Sequence, residues 1–413
     1  MKRCLWVVVA VLVLGCQGRR FEPAWSISKF RIMGIQAEPP EVRPNGATTL
    51  AALSYAPDDG PVSYRWEWCP FQTIAADHYA CPITQEELES QIADALPPGV
   101  PPGLFDFPDF DLGTEPTATL PYPFPQPLLV AFCEALRQAI AEAGEENEQL
   151  AGALPVVNCE EGYDVSVRLV VRNDEEPATD EMLDDLVAQD QNELIVASKK
   201  VTLWLASENE QDINPVHVGL EIRPRHSADV EMLIEAGHAW VDTLETGDSG
   251  WYRIEGDELP QILVGVEYEL RALVDPETVQ IYRRPAPIGS DERYRDPETE
   301  VLVYDWYTTA GSIAPNDAFF VEGRTPLDDV ATTSFFIPLV DNSQDFGGAD
   351  GIGFIESCPA LEDDDPENGC EVQIWNVVRD SRRGLGFVER RLLATGILEV
   401  DEPPSDNPFE PER

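Results

Sequence analysis

The chain has 413 residues, 43% of them hydrophobic and 25% charged. That composition supplies material for cores and excludes global disorder. Its 77 Asp and Glu against 28 Lys and Arg give a formal net charge of −49, a surface that repels phosphate backbones and argues against a nucleic-acid partner. At about 100–200 residues per domain, two domains are expected.

Lys2 and Arg3 precede an apolar run from Leu5 to Leu14, followed by Gly15 and Cys16. This is the layout of a secretory signal peptide over residues 1–15, and the run is too short for a permanent bilayer-spanning helix. Val13-Leu14-Gly15-Cys16 resembles the lipobox of bacterial lipoproteins. The resemblance implies cleavage before Cys16 and its acylation, palmitate included, so that the membrane is a partner through lipid. Gln17 follows Cys16, which by resemblance to enterobacterial lipoproteins implies the outer membrane, with the periplasmic or surface face left open. Residues 16–25 read as a short linker.

Cys4 leaves with the signal and Cys16 takes lipid, leaving Cys69, Cys81, Cys133, Cys159, Cys358 and Cys370. An even set in an exported chain reads as disulfides. Their local spacing predicts the bonds Cys69–Cys81, Cys133–Cys159 and Cys358–Cys370, each contributing about 3 kcal/mol by loop closure. The rival reading, zinc on Cys69, His78 and Cys81, lacks a fourth ligand.

Four sequence blocks recur in one order. Gly34-Ile35-Gln36-Ala37-Glu38-Pro39 answers to Gly219-Leu220-Glu221-Ile222-Arg223-Pro224, and Leu50-Ala51-Ala52-Leu53 to Leu270-Arg271-Ala272-Leu273. Tyr64-Arg65-Trp66 answers to Tyr304-Asp305-Trp306, and Val170-Val171-Arg172-Asn173 to Val377-Val378-Arg379-Asp380. The last block closes a period-2 run, as a half-buried strand does. A duplicated β-module with a Trp plugging the space between two sheets is expected. These blocks, with Gly162-Tyr163-Asp164-Val165-Ser166-Val167, resemble bacterial Ig-like domains of the PKD type.

The expected fold is therefore all-β with small helical insertions, as two tandem Ig-like β-sandwiches. The first domain spans 26–207 with a helical and Pro-rich insertion over 70–158. The second spans 212–400 with insertions over 225–258 and 276–300. They meet at the polar Ser207-Glu208-Asn209-Glu210-Gln211, and residues 401–413 form a disordered tail.

Within the first insertion, Thr84-Gln85-Glu86-Glu87 is a capping box ahead of Leu88, Ile92 and Leu96 at helical spacing. From Pro97 to Pro127 ten prolines are interleaved with Phe105, Phe107, Phe110, Tyr122 and Phe124. Such a stretch is extended or turning, and its rings either pack as a lid or form a binding surface. A second helix then places Leu129, Cys133, Leu136 and Ile140 on one face.

Candidate chemistry is sparse. Gly247-Asp248-Ser249-Gly250 is similar to the serine-protease nucleophile turn, but His238 stands only a short way upstream and a polar turn explains the segment better. His78, His217, His226 and His238 form no metal spacing. Asp341, Ser343, Asp345 and Asp350 offer oxygen ligands among turn glycines and make a weak calcium candidate; no other cofactor is expected. The function read from the sequence is a lipid-anchored cell-envelope protein, not an enzyme, binding or scaffolding an envelope protein or glycan partner. The alternative is a hydrolase or carbohydrate-active accessory protein with its site in the insertions.

Overall fold

Trp66 and Trp306, the rings of the repeated Tyr-x-Trp block, are both shut off from solvent, each in the core of its own β-sandwich. The computed structural model describes, apart from scattered positions, residues 25–95, 108–138, 159–183, 194–205, 209–284, 294–337 and 369–395. The expected signal peptide over 1–15, Cys16 and the segment 401–413 lie outside them. Among the described residues no helix is long and apolar enough to cross a membrane.

The first sandwich uses β1 (Arg31–Glu38), β2 (Glu41–Val42), β3 (Ala47–Tyr55), β4 (Ser63–Cys69), β5 (Asp111–Gly113), β6 (Thr117–Pro121), β7 (Tyr163–Arg172) and β8 (Leu194–Leu203). One sheet has the order β1-β3-β6 and the other β2-β8-β7-β4-β5.

The second uses β9 (His217–Pro224), β10 (Tyr252–Ile254), β11 (Gln261–Leu263), β12 (Glu267–Val274), β13 (Ile281–Tyr282), β14 (Glu298–Thr299), β15 (Leu302–Thr308), β16 (Ser312–Ala314), β17 (Asp317–Phe320), β18 (Thr332–Phe336), β19 (Cys370–Arg379) and β20 (Leu385–Thr395). Its sheets run β10-β9-β12-β18-β16 and β11-β20-β19-β15-β17, with β13 and β14 as a separate pair. The four sequence blocks thus fall on β1, β3, β4 and β7 and again on β9, β12, β15 and β19. Even the parallel edge pairing of β2 with β8 recurs, as β11 with β20. The order of the strands carrying the blocks is thus the same in both halves, and the two-sheet order is that of an Ig-like sandwich.

Burial follows the pleat. On β12 the pattern alternates so that Tyr268, Leu270, Ala272 and Val274 face the core. Trp66 and Trp68 satisfy their ring N–H groups on the Glu115 and Asp109 carbonyls at 2.9 and 2.7 Å, so each ring contributes roughly 5 kcal/mol of apolar burial without an orphaned donor. Disulfides join Cys69 to Cys81 and Cys133 to Cys159, with Cα separations of 5.4 and 5.8 Å. Cys370 is disulfide-bonded as well; Cys358 lies outside the described residues. The capping box forms as read: Thr84 N–H donates to Glu87 Oε2 at 2.9 Å and Glu87 N–H to Thr84 Oγ1 at 3.2 Å, at the head of the helix Gln85–Ala95.

The sandwiches do not simply hang on the polar connector. Trp25, Ser26 and Ile27 lie along β15 of the second sandwich, with Ile27 N–H on the Thr308 carbonyl at 2.9 Å, before the chain enters β1 of the first. Ile27, Met33 and Leu53 then pack against Trp375, Val377 and Leu385 of β19 and β20, and Tyr55 meets Trp375 edge-on at 5.5 Å. The approach is close: a Cβ on Gly34 of β1 would lie 2.8 Å from Leu385 Cδ1 of β20.

The corresponding outer faces are covered differently. On the first sandwich Val170 and Leu194 are roofed by Ala178 and Leu183. On the second, Glu221 pairs with Arg271 and Arg223 with Glu269, each at 2.5 Å. The Trp251 ring lies between the two guanidinium groups, 4.2 Å from that of Arg223 and 4.5 Å from that of Arg271.

Candidate functional site

The densest ionisable cluster among the described residues forms where the β19–β20 turn of the second sandwich meets β2 and β8 of the first. The turn, Asp380 to Gly384, is built by its own first residue: Asp380 Oδ1 accepts from the N–H groups of Arg382 and Gly384, both at 2.8 Å. Any side chain at Gly384 would collide with the other oxygen, because a Cβ there would sit 2.0 Å from Asp380 Oδ2.

The turn projects Arg382 between the sandwiches. Its guanidinium binds Glu41 Oε1 at 3.0 Å, the Glu210 carbonyl at 2.8 Å and Gln280 Oε1 at 3.2 Å, and lies 5.5 Å from the centre of the Tyr282 ring. Asp212 and Glu300, both completely buried, stand behind it. They are 3.8 and 3.5 Å from Nη1, beyond hydrogen-bonding reach.

Each acid is anchored at one end and bare at the other. Asp212 N–H donates to Glu41 Oε2 at 3.0 Å, and Glu300 Oε2 accepts from Gln280 N–H at 3.0 Å. Both Asp212 oxygens, Glu300 Oε1 and Asp380 Oδ2 are buried with no hydrogen-bond partner. One oxygen from each of the three residues lies within 4.8 Å of the others.

Burial raises all three carboxyls above the usual carboxylate range, and Asp380 adds to the push on the other two. Burial works against the charge of Arg382, but Glu41, Asp212 and Glu300 more than offset it. Lys199 of β8 reaches the Arg383 carbonyl, and burial lowers its ammonium to about 8. A cleft of about 490 Å³ opens alongside, lined in part by Met33, Lys199, Asp380, Arg383 and Gly384.

None of these residues was singled out by the sequence. They come from four separated elements, and in a chain with 77 acids no single carboxylate stands out. The only local signal was Arg382-Arg383-Gly384 between two apolar strands.

Of the five aromatic binding candidates, Phe110 packs edge-on against Trp68 at 5.3 Å, and Tyr122 donates its hydroxyl to the Trp204 carbonyl at 2.8 Å. Both rings are partly buried against the core of the first sandwich, beside β5 and β6. Phe105, Phe107 and Phe124 lie outside the described residues, as do Asp341, Ser343, Asp345 and Asp350. His238 is buried, with Nδ1 3.0 Å from the Gln261 carbonyl, a structural placement.

No protein-family model matches the chain, and no curated protein sequence matches it. Among solved structures it is distantly similar to the three N-terminal domains of the bacteriophage RB49 Highly Immunogenic Outer Capsid protein (Hoc). The two share 7% identity over 90% of this chain and 71% of that one, with a TM-score of 0.17.

Proposed function

We propose that this chain is a lipid-anchored protein of the cell envelope, held to the outer membrane through Cys16, that works without catalysis as a binding or scaffolding module. The observation that carries the reading is the joint. An apolar patch and a buried ionic turn fix the two sandwiches to one another, which suits a part that must hold loops in a set relation. A hydrolase would need its acids open to substrate, whereas Asp212 and Glu300 have no exposed surface.

The test has two arms. Cys16→Ser is expected to move the protein from the membrane to the soluble fraction, and persistence in salt-washed membranes would defeat the anchor. Envelope components retained by the wild-type chain are expected to be lost from a Trp375→Ala, Arg383→Ala variant with a loosened joint. Unchanged retention would remove the scaffold reading.

A further inference from the structure

We propose that Asp212, Glu300 and Asp380 form a calcium-binding site that ties the two sandwiches together.

The side-chain environment points to an ion. Asp212 is fully buried, yet neither of its carboxylate oxygens accepts a hydrogen bond, and one of them lies within 4.8 Å of one carboxylate oxygen each of Glu300 and Asp380. A buried carboxylate left in this condition is costly. The nearest cation relieves it only in part: Arg382 hydrogen-bonds to Glu41, Glu210 and Gln280 and lies 3.8 and 3.5 Å from Asp212 and Glu300, near enough to pair with them as an ion but not to donate to them.

Charge agrees with geometry. Glu41, Asp212, Glu300 and Asp380 face Lys199 and Arg382, four acids against two bases. Arg383 and Arg379 are engaged elsewhere, by Asp164 and Asp305. Without an ion, burial favours the neutral forms of Asp212, Glu300 and Asp380; a divalent cation among them is what lets all three ionise together.

The donors select the ion. All are carboxylate oxygens, with no imidazole or thiolate among them, which favours a hard cation over zinc or copper. Calcium–oxygen bonds of about 2.3–2.6 Å let ligand oxygens stand up to about 5 Å apart, and the three oxygens lie within 4.8 Å of one another. Magnesium needs a near-ideal octahedron with bonds of about 2.0–2.1 Å, a stricter demand than three carboxylates drawn from separate elements meet. Asp380 lines both the cluster and the adjoining cleft, so the cleft supplies a path of entry and the waters that complete the shell.

The site is distinct from the acidic segment around Asp345, and the experiment separates them. The full chain is purified in detergent, stripped with EGTA and titrated calorimetrically with CaCl2 and, separately, MgCl2. The Asp345→Ala, Asp350→Ala variant is expected to keep one calcium per chain and a melting temperature raised by roughly 4 °C or more in excess calcium, with a much weaker response to magnesium.

Asp212→Asn and Glu300→Gln, which keep side-chain volume, are expected to lose both. The proposal is overturned if the wild-type chain binds no calcium, or if Asp345→Ala, Asp350→Ala abolishes binding. It is equally overturned if Asp212→Asn binds as the wild type does. Calcium retained by the Asp345→Ala, Asp350→Ala variant places the ion outside that segment even where Asp212→Asn or Glu300→Gln fails to fold, and calcium lost from it overturns the proposal.

Discussion

The Arg383 guanidinium of the second sandwich grips the Asp164 carboxylate of the first as a two-point fork, with Nη2 2.6 Å from Oδ2 and Nη1 on Oδ1, across 219 residues of chain. Planar pairing of this kind fixes direction as well as distance. Arg383 makes it from a backbone φ of 89°, a conformation that costs a non-glycine residue on the order of 1 kcal/mol or more. A double-mutant cycle of Arg383→Ala with Asp164→Ala, followed by urea unfolding, should show a coupling of about 1 kcal/mol. Strict additivity would mean that the fork contributes nothing to the joint.

Trp375 lies on the outer face of β19, where it meets Met33, Leu53 and Tyr55 of the other sandwich. Truncation to Ala should cost about 3 kcal/mol and uncouple the halves without emptying either core. Unfolding followed by two probes, one in each sandwich, should then show two transitions where the wild type shows one. Trp306→Ala should instead melt the second sandwich selectively, because that ring fills its interior.

His217 sets a pH dependence with a definite sign. Burial, with Arg390 adding to it, lowers its imidazole from 6.5 to about 4. Above pH 6.5 the residue is neutral whether the chain is folded or not and gives no slope. As pH falls from there to about 4 the unfolded chain takes up a proton that the native chain refuses, and stability drops by up to about 3 kcal/mol. His217→Gln should remove that slope from the difference between the two proteins' stability–pH curves. Superimposable curves would place His217 in solvent.

Phe110 offers a test of the Pro-rich segment. Its ring packs on Trp68 and its N–H donates to Gln85 Oε1 at 3.0 Å, tying the segment to the helix Gln85–Ala95. Phe110→Ala should lower stability by about 2 kcal/mol, measured by denaturant unfolding. A variant as stable as the wild type would return this ring to the candidate binding surface.

The sandwiches were legible in the sequence because their blocks are short, local and repeated: Tyr64-x-Trp66 and Tyr304-x-Trp306 mark the same strand twice. The Thr84 capping box was legible for the same reason, since its partners lie three residues apart. The joint was not. Its apolar half uses the second face of β19, where Trp375 and Val377 interrupt the polar side of an alternating strand; both faces being apolar is the pattern of a strand buried on two sides, and this was the one available clue. The ionic half joins Glu41, Asp212, Glu300 and Arg382 from four elements, so no spacing rule reaches it. Phe110 and Tyr122 were seen as rings needing a partner, but only tertiary packing shows that the partner is their own sandwich.

The two copies touch through unlike faces, the β1–β3 side of one against the β19–β20 side of the other. A contact of that head-to-tail kind does not close on itself, and repeated without limit it generates a filament. Here the equivalent surfaces at both ends are already taken. Ala178 and Leu183 cover the first copy's version of one face, and the second copy's version of the other carries Arg223, Arg271 and the ring of Trp251, which a third module would have to strip of charge and water. The same geometry that locks two sandwiches together therefore terminates after a single use, and a further copy finds neither face bare among the described residues.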